Sequence, residues 1–117
     1  MRVFVYFNLH KKLFSVKALE GEFRGRVVAH CDEIYLENAT FRVSEAGRQR
    51  VLKERRKNVH AGVAGEWVEH GHTAASGQAV TYNPYRYTSF VVKATETPVF
   101  KAHRVWLKNR TITAELA

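Results

Sequence analysis

Six basic side chains lie within ten residues near the middle of the sequence and could neutralise a row of phosphates. They are Arg48, Arg50, Lys53, Arg55, Arg56 and Lys57. With Glu54 as the only acidic residue among them, the window 48–57 carries +5 of the formal net charge of +8. Lysine and arginine bind phosphate backbones by displacing their counterions. The window therefore predicts a polyanion partner, which we expect to be nucleic acid, either DNA or RNA.

His60 lies immediately after this basic window and could act as a general base. Imidazole is the usual proton acceptor near neutral pH, and cationic groups nearby would stabilise a charged phosphoryl transition state. A proton donor would also be needed, and Tyr85, Tyr87 or His103 could supply it. A metal-independent ribonuclease that uses His60 is therefore an alternative to simple binding, although we favour a protein that is not an enzyme.

Aromatic residues are concentrated in the segment Tyr82-Asn83-Pro84-Tyr85-Arg86-Tyr87. Exposed rings on a basic surface can stack on nucleobases, so Tyr85 and Tyr87, with Arg86, are candidate contacts that would support the basic window. The competing interpretation is structural. Asn-Pro favours a turn, and tyrosines beside a turn commonly lay their rings on the core with the hydroxyls in water.

Motifs for metals and cofactors are missing from the sequence. His70 and His72 form a His-x-His pair, and His30 or Cys31 would be a distant third ligand, but this spacing matches no established zinc site. There is neither a dinucleotide-binding glycine pattern nor a Walker-type phosphate loop. We therefore expect no metal and no cofactor.

One helix is expected to position the basic side chains. Ser44 is a suitable N-cap with Glu45 in the first turn, and a run of mostly good helix formers follows, so we predict a helix over residues 44–57. At 100° per residue Val51, Leu52 and Val59 lie on one side, and the cations Arg50, Lys53 and Lys57 lie nearly opposite. The helix should pack through the first side and expose the second.

Strands dominate the rest of the sequence. Val3, Val5 and Phe7 alternate with their neighbours at the two-residue period of a strand. Short runs rich in β-branched and aromatic residues are further predicted strands: 13–18, 26–31, 34–36, 39–43, 79–82, 89–93, 103–107 and 111–116. The predicted fold is one α+β domain spanning residues 1–117, a curved antiparallel sheet or partly open β-barrel with the basic helix packed on it.

The composition limits the class of protein. At 117 residues with 45% apolar content, the chain can bury one core, which argues against a disordered protein. Cys31 is the single cysteine, so an intramolecular disulfide is excluded and an intracellular location is favoured. No segment reaches the roughly 20 apolar residues of a membrane span, so we expect no membrane partner.

Several segments resemble small uncharacterised proteins encoded by tailed bacteriophages. The segments are Tyr6-Phe7-Asn8-Leu9-His10-Lys11-Lys12, Val43-Ser44-Glu45-Ala46-Gly47-Arg48, Arg56-Lys57-Asn58-Val59-His60-Ala61 and Tyr82-Asn83-Pro84-Tyr85. The resemblance implies a cytoplasmic location inside an infected bacterium and no particular activity. It leaves open a further alternative, an inhibitor that docks on an acidic host or defence protein through the basic helix.

Overall fold

Nine strands joined in one antiparallel sheet make up most of the structure, a computed structural model that describes residues 1–69 and 77–116. The elements in chain order are β1 (Arg2–Asn8), β2 (Leu13–Ala18), β3 (Val27–Cys31), β4 (Glu33–Val43), α1 (Glu45–Glu54), β5 (Ala61–Val68), β6 (Gln78–Thr81), β7 (Val91–Val92), β8 (Lys101–Lys108) and β9 (Thr111–Leu116). Their order across the sheet is β3-β2-β1-β5-β4-β8-β9-β6-β7.

The core lies on one face of this sheet, where alternate residues of adjacent strands meet. Val5 on β1 pairs with Val16 on β2 and with Val63 on β5, and all three are buried. The other half of the sheet repeats the pattern, because buried Leu36 on β4 pairs with buried Val105 on β8. Directly opposed apolar side chains of this kind are the unit that stabilises a sheet.

Strong curvature brings the two halves of the sheet together around the core. The guanidinium of Arg110, in the β8–β9 turn, lies 4.7 Å from the ring centre of Phe7 on β1. Strands β5 and β4 separate β1 from β8 in the sheet order, so this contact requires the sheet to fold back on itself. Part of the bend lies in β4, where Asn38 has a positive φ of 48° and the pairing register shifts between Glu37 and Thr40.

The predicted α+β class is wrong, because the protein is mostly β with one short helix. Among the described residues α1 makes no extensive contact with any strand, so the basic helix is not packed on the sheet as expected. The runs 34–36 and 39–43, predicted as two strands, are one strand, β4, and β5 was not predicted. The sheet is curved, as expected. Its strand order begins at one edge strand, β3, and ends at another, β7, so the described strands form an open sheet. None of the helices in the described ranges is long and apolar enough to cross a membrane.

The helix begins where the sequence predicts but ends three residues earlier. The Ser44 side chain accepts a hydrogen bond from the Gly47 amide, as an N-cap does. At the other end Arg55 adopts the left-handed conformation, with φ of 53°, and donates its amide to the carbonyl of Val51. Val59 consequently lies outside the helix and is 54% exposed, so it is no part of the packing side.

Replacing Arg55 by glycine is expected to stabilise the protein. The left-handed conformation costs a residue with a Cβ atom about 1 kcal/mol, and glycine adopts it without that cost. The free energy of unfolding in urea should therefore rise by about 1 kcal/mol in Arg55→Gly. Arg56→Gly removes the same charge at a residue without a positive φ, and it should not stabilise. Equal stability of the two variants would contradict this account of the helix end.

Candidate nucleic-acid interface

Five of the six predicted basic side chains are exposed to solvent at and after the end of α1. Two of them, Arg50 and Lys53, lie on α1 itself, in which Gly47 and Val51 are the buried residues. The other three, Arg55, Arg56 and Lys57, follow the helix in a segment without regular structure. Within residues 1–69 and 77–116 none of the five forms an ion pair. We call these five residues the cationic segment.

Arg48, the sixth basic residue of the window, is held inside the fold. Its side chain is 13% exposed, and its Nε donates to the carbonyl oxygens of Pro84 and Tyr87, each at 3.0 Å. Its Nη1 donates to Glu45 Oε1 at 3.0 Å. The pKa of the Glu45 carboxyl is lowered, first by a hydrogen bond from Gln49 and then by the charge of Arg48. These contacts favour a structural role for Arg48, which anchors the helix to the 83–87 turn.

Two of the three candidate residues of the 83–87 turn, Tyr85 and Arg86, are exposed to solvent. Tyr85 is 62% exposed. Arg86 forms an ion pair with Glu96 at 2.7 Å, and its guanidinium lies 5.3 Å from the ring centre of Tyr87. The Tyr87 hydroxyl also donates to Glu96, and this hydrogen bond raises the tyrosine pKa. The charge of Arg86 is thus already balanced within the protein.

His60 has hydrogen-bond partners at both ring nitrogens. Nδ1 lies 2.8 Å from the carbonyl oxygen of Asn58, which can only accept, so we assign the proton of the neutral ring to Nδ1. Nε2 then accepts from the Tyr82 hydroxyl at 2.7 Å. Burial raises the pKa of Tyr82, which makes it a poor acid. The phenol would have to move before Nε2 could take a proton from a substrate.

The partner of His60 is therefore Tyr82 and none of the predicted proton donors. Tyr82 was assigned to the end of a strand, and the sequence holds no local signal that it meets a histidine 22 residues away. The contact depends on a close approach between the helix and His60, since a Cβ added to Gly47 would lie 2.6 Å from the Cβ of His60. His103, the other predicted donor, is exposed on β8.

Metal ligands are not gathered in the described part of the chain. No group of three or more histidine, cysteine or carboxylate side chains there could hold an ion. His30 and Cys31 lie next to each other on the edge strand β3. His70 and His72 lie outside the described residues.

Comparison with known proteins identifies relatives in a bacteriophage. The family model for the Mycobacterium phage L5 gene 82 protein matches residues 1–115. The gene 82 protein of Mycobacterium phage L5 is 42% identical over 120 residues, which cover 97% of this chain and 95% of that protein. No solved structure matches. The resemblance to tailed-phage proteins is thus confirmed, and the chain belongs to the family of the Mycobacterium phage L5 gene 82 protein.

Proposed function

We propose that this protein binds nucleic acid without catalysis, in the cytoplasm of the infected bacterium, by contacting phosphates through the cationic segment. The observation that carries the proposal is the exposure of five cations without ion-pair partners in the described ranges. From Arg50 to Lys57 five positive charges and one negative charge, Glu54, give a net +4 over eight residues. An exposed surface of one sign attracts polyanions and steers their association.

Repulsion within the cationic segment supports the same function. Arg50 and Lys53 are three residues apart on α1, so they are neighbours on the helix surface, where like charges destabilise by a few tenths of a kcal/mol. The other three cations are consecutive in the chain. Concentrating these cations in one segment does not stabilise the fold, whereas a bound phosphate backbone would relieve their mutual repulsion.

Binding is expected to weaken steeply as salt rises. If all five cations of the segment neutralise a phosphate each, log Kd against log salt concentration for duplex DNA should have a slope of about 4.5, and for a single strand about 3.5. Fluorescence anisotropy with labelled DNA and RNA at several salt concentrations measures this slope. Affinity that does not change with salt, or no binding at low salt, would exclude the proposal.

Two further outcomes would favour the alternatives. Cleavage of the RNA probe in EDTA that is lost in His60→Ala, with the fold intact, would instead support a metal-independent ribonuclease. Specific recovery of one acidic host protein from nuclease-treated lysate, together with no binding to the probes, would support an inhibitor. Intact probes and a salt-dependent shift support simple binding.

A further inference from the structure

A shallow cleft of about 380 Å³ opens beside the end of β4. Phe41 and Phe90 are buried in its floor, with ring centres 5.2 Å apart. Phe100 forms a wall and is 59% exposed, which is unusual for so large an apolar side chain with aromatic neighbours. The cleft is thus lined by one exposed and two buried aromatic rings, and its volume is at the small end of the range for ligand sites.

The polar lining of the cleft suits an anion and hydrogen-bonding groups. Arg42 lines it, is exposed and has no ion-pair partner in the described ranges. Thr88 and Ser89 add two hydroxyl groups, which can donate or accept. Lys101, next to Phe100 in the chain, is also exposed. Among the described residues no acidic side chain lines the cleft, so its charge complements an anionic group such as a phosphate.

The cleft adjoins the helix that carries the cationic segment. Val43, in the lining, precedes the N-cap Ser44, and it pairs with Ala61, the residue after His60. Thr88 follows Tyr87, whose carbonyl accepts a hydrogen bond from Arg48 on the helix. The cleft thus lies at the N-terminal end of α1, and a single strand lying on the cationic segment would have to run along the helix to reach it.

We propose that this cleft binds one nucleobase of a single-stranded nucleic acid, stacked on Phe100, with an adjoining phosphate on Arg42. Bases within a duplex are paired and stacked on each other, whereas an unpaired base is free to turn into the cleft. The inference rests on the proposed phosphate binding and adds to it a preference for single strands. Arg42 and Phe100 were not among the sequence-predicted contacts.

Abasic DNA distinguishes base stacking from phosphate binding. A labelled oligothymidylate of about 12 nucleotides and an abasic strand of equal length carry the same phosphates, and their Kd values are measured by anisotropy at one low salt concentration. Phe100→Ala should weaken oligothymidylate binding about tenfold and leave abasic binding unchanged. Phe100→Tyr should retain wild-type affinity. Phe23→Ala, which truncates another exposed ring, 50% exposed in the β2–β3 loop, should change neither value.

Several results would overturn the cleft proposal. Unchanged oligothymidylate affinity in Phe100→Ala, or an equal loss of affinity for both strands, would show that no base occupies the cleft. The proposed function would still stand in that case, provided that the binding depends on salt. If wild-type protein binds neither strand, both proposals fail. Full affinity in Phe100→Leu would mean that apolar contact suffices and stacking is not involved. If circular dichroism shows that Phe100→Ala does not fold, the oligothymidylate affinities of Phe100→Tyr and Phe100→Leu are compared instead. Stacking then requires that Phe100→Tyr binds more tightly than Phe100→Leu.

Discussion

Exchanging Arg50, Lys53 and Lys57 together for glutamate is expected to abolish nucleic-acid binding near physiological salt while the fold is retained. Each exchange removes one phosphate contact and adds a repulsive charge, so the Kd should rise by at least about 100-fold. All three side chains are exposed. Substitutions at such sites usually change the free energy of unfolding by no more than about 0.5 kcal/mol each. Anisotropy with labelled DNA and urea unfolding measure the two effects.

A matched triple variant separates a local site from overall charge. Three reversals change the net charge by six units, from +8 to +2, wherever they are made. Lys11→Glu, Arg24→Glu and Arg26→Glu alter exposed cations of the β1–β2 turn and the β2–β3 loop by the same amount. This control should keep most of the affinity. Equal losses in the two triple variants would mean that the protein attracts nucleic acid through its total charge, and the cationic segment would not be its site.

Local patterns predicted those elements whose form depends on neighbouring residues. Alternation indicated the first strand, and strands were predicted over 103–107 and 111–116, where β8 and β9 lie. Ser44 predicted the helix start because capping involves only the next few residues. The helix end was missed because Arg55, a good helix former, takes the left-handed conformation there. Strand β5 was not predicted because glycine is unfavourable inside a strand, whereas Gly62 in β5 makes room for the ring of Phe4 on β1.

The position of the basic residues could be predicted from sequence, but which of them are exposed and which are engaged within the fold could not. Charge density identified all six basic residues, and helical periodicity placed Arg50 and Lys53 on the exposed side. Whether a basic side chain is exposed or engaged depends on distant partners. Arg48 bonds to carbonyls 36 and 39 residues away, and Arg86 pairs with Glu96 across a loop. Phe100 has no local pattern that distinguishes a cleft wall from a core residue.

Replacing Gly62 by alanine is expected to be the most destabilising small substitution in the central sheet. Gly62 lies on β5, and a Cβ there would lie 2.5 Å from the Val5 carbonyl oxygen and 2.5 Å from Cζ of Phe4. The Phe4 ring can shift, but the carbonyl belongs to the neighbouring strand β1 and cannot move without disturbing the β1–β5 pairing. Overpacking of this kind should lower the free energy of unfolding by about 3 kcal/mol, measured by urea denaturation.

Gly25→Ala is the appropriate control, because it separates steric overlap from backbone strain. Gly25 has a positive φ of 86° and open space where a Cβ would lie. Alanine there should therefore lower the free energy of unfolding by about 1 kcal/mol, through backbone strain alone. Adding Phe4→Leu to Gly62→Ala should restore part of the lost stability, because it removes the contact with the ring. The rest of the lost stability should not be recovered, because the Val5 carbonyl stays in place. If Gly62→Ala costs no more than Gly25→Ala, the close approach of β1 and β5 would not be a constraint on this fold, and glycine at position 62 would need another explanation.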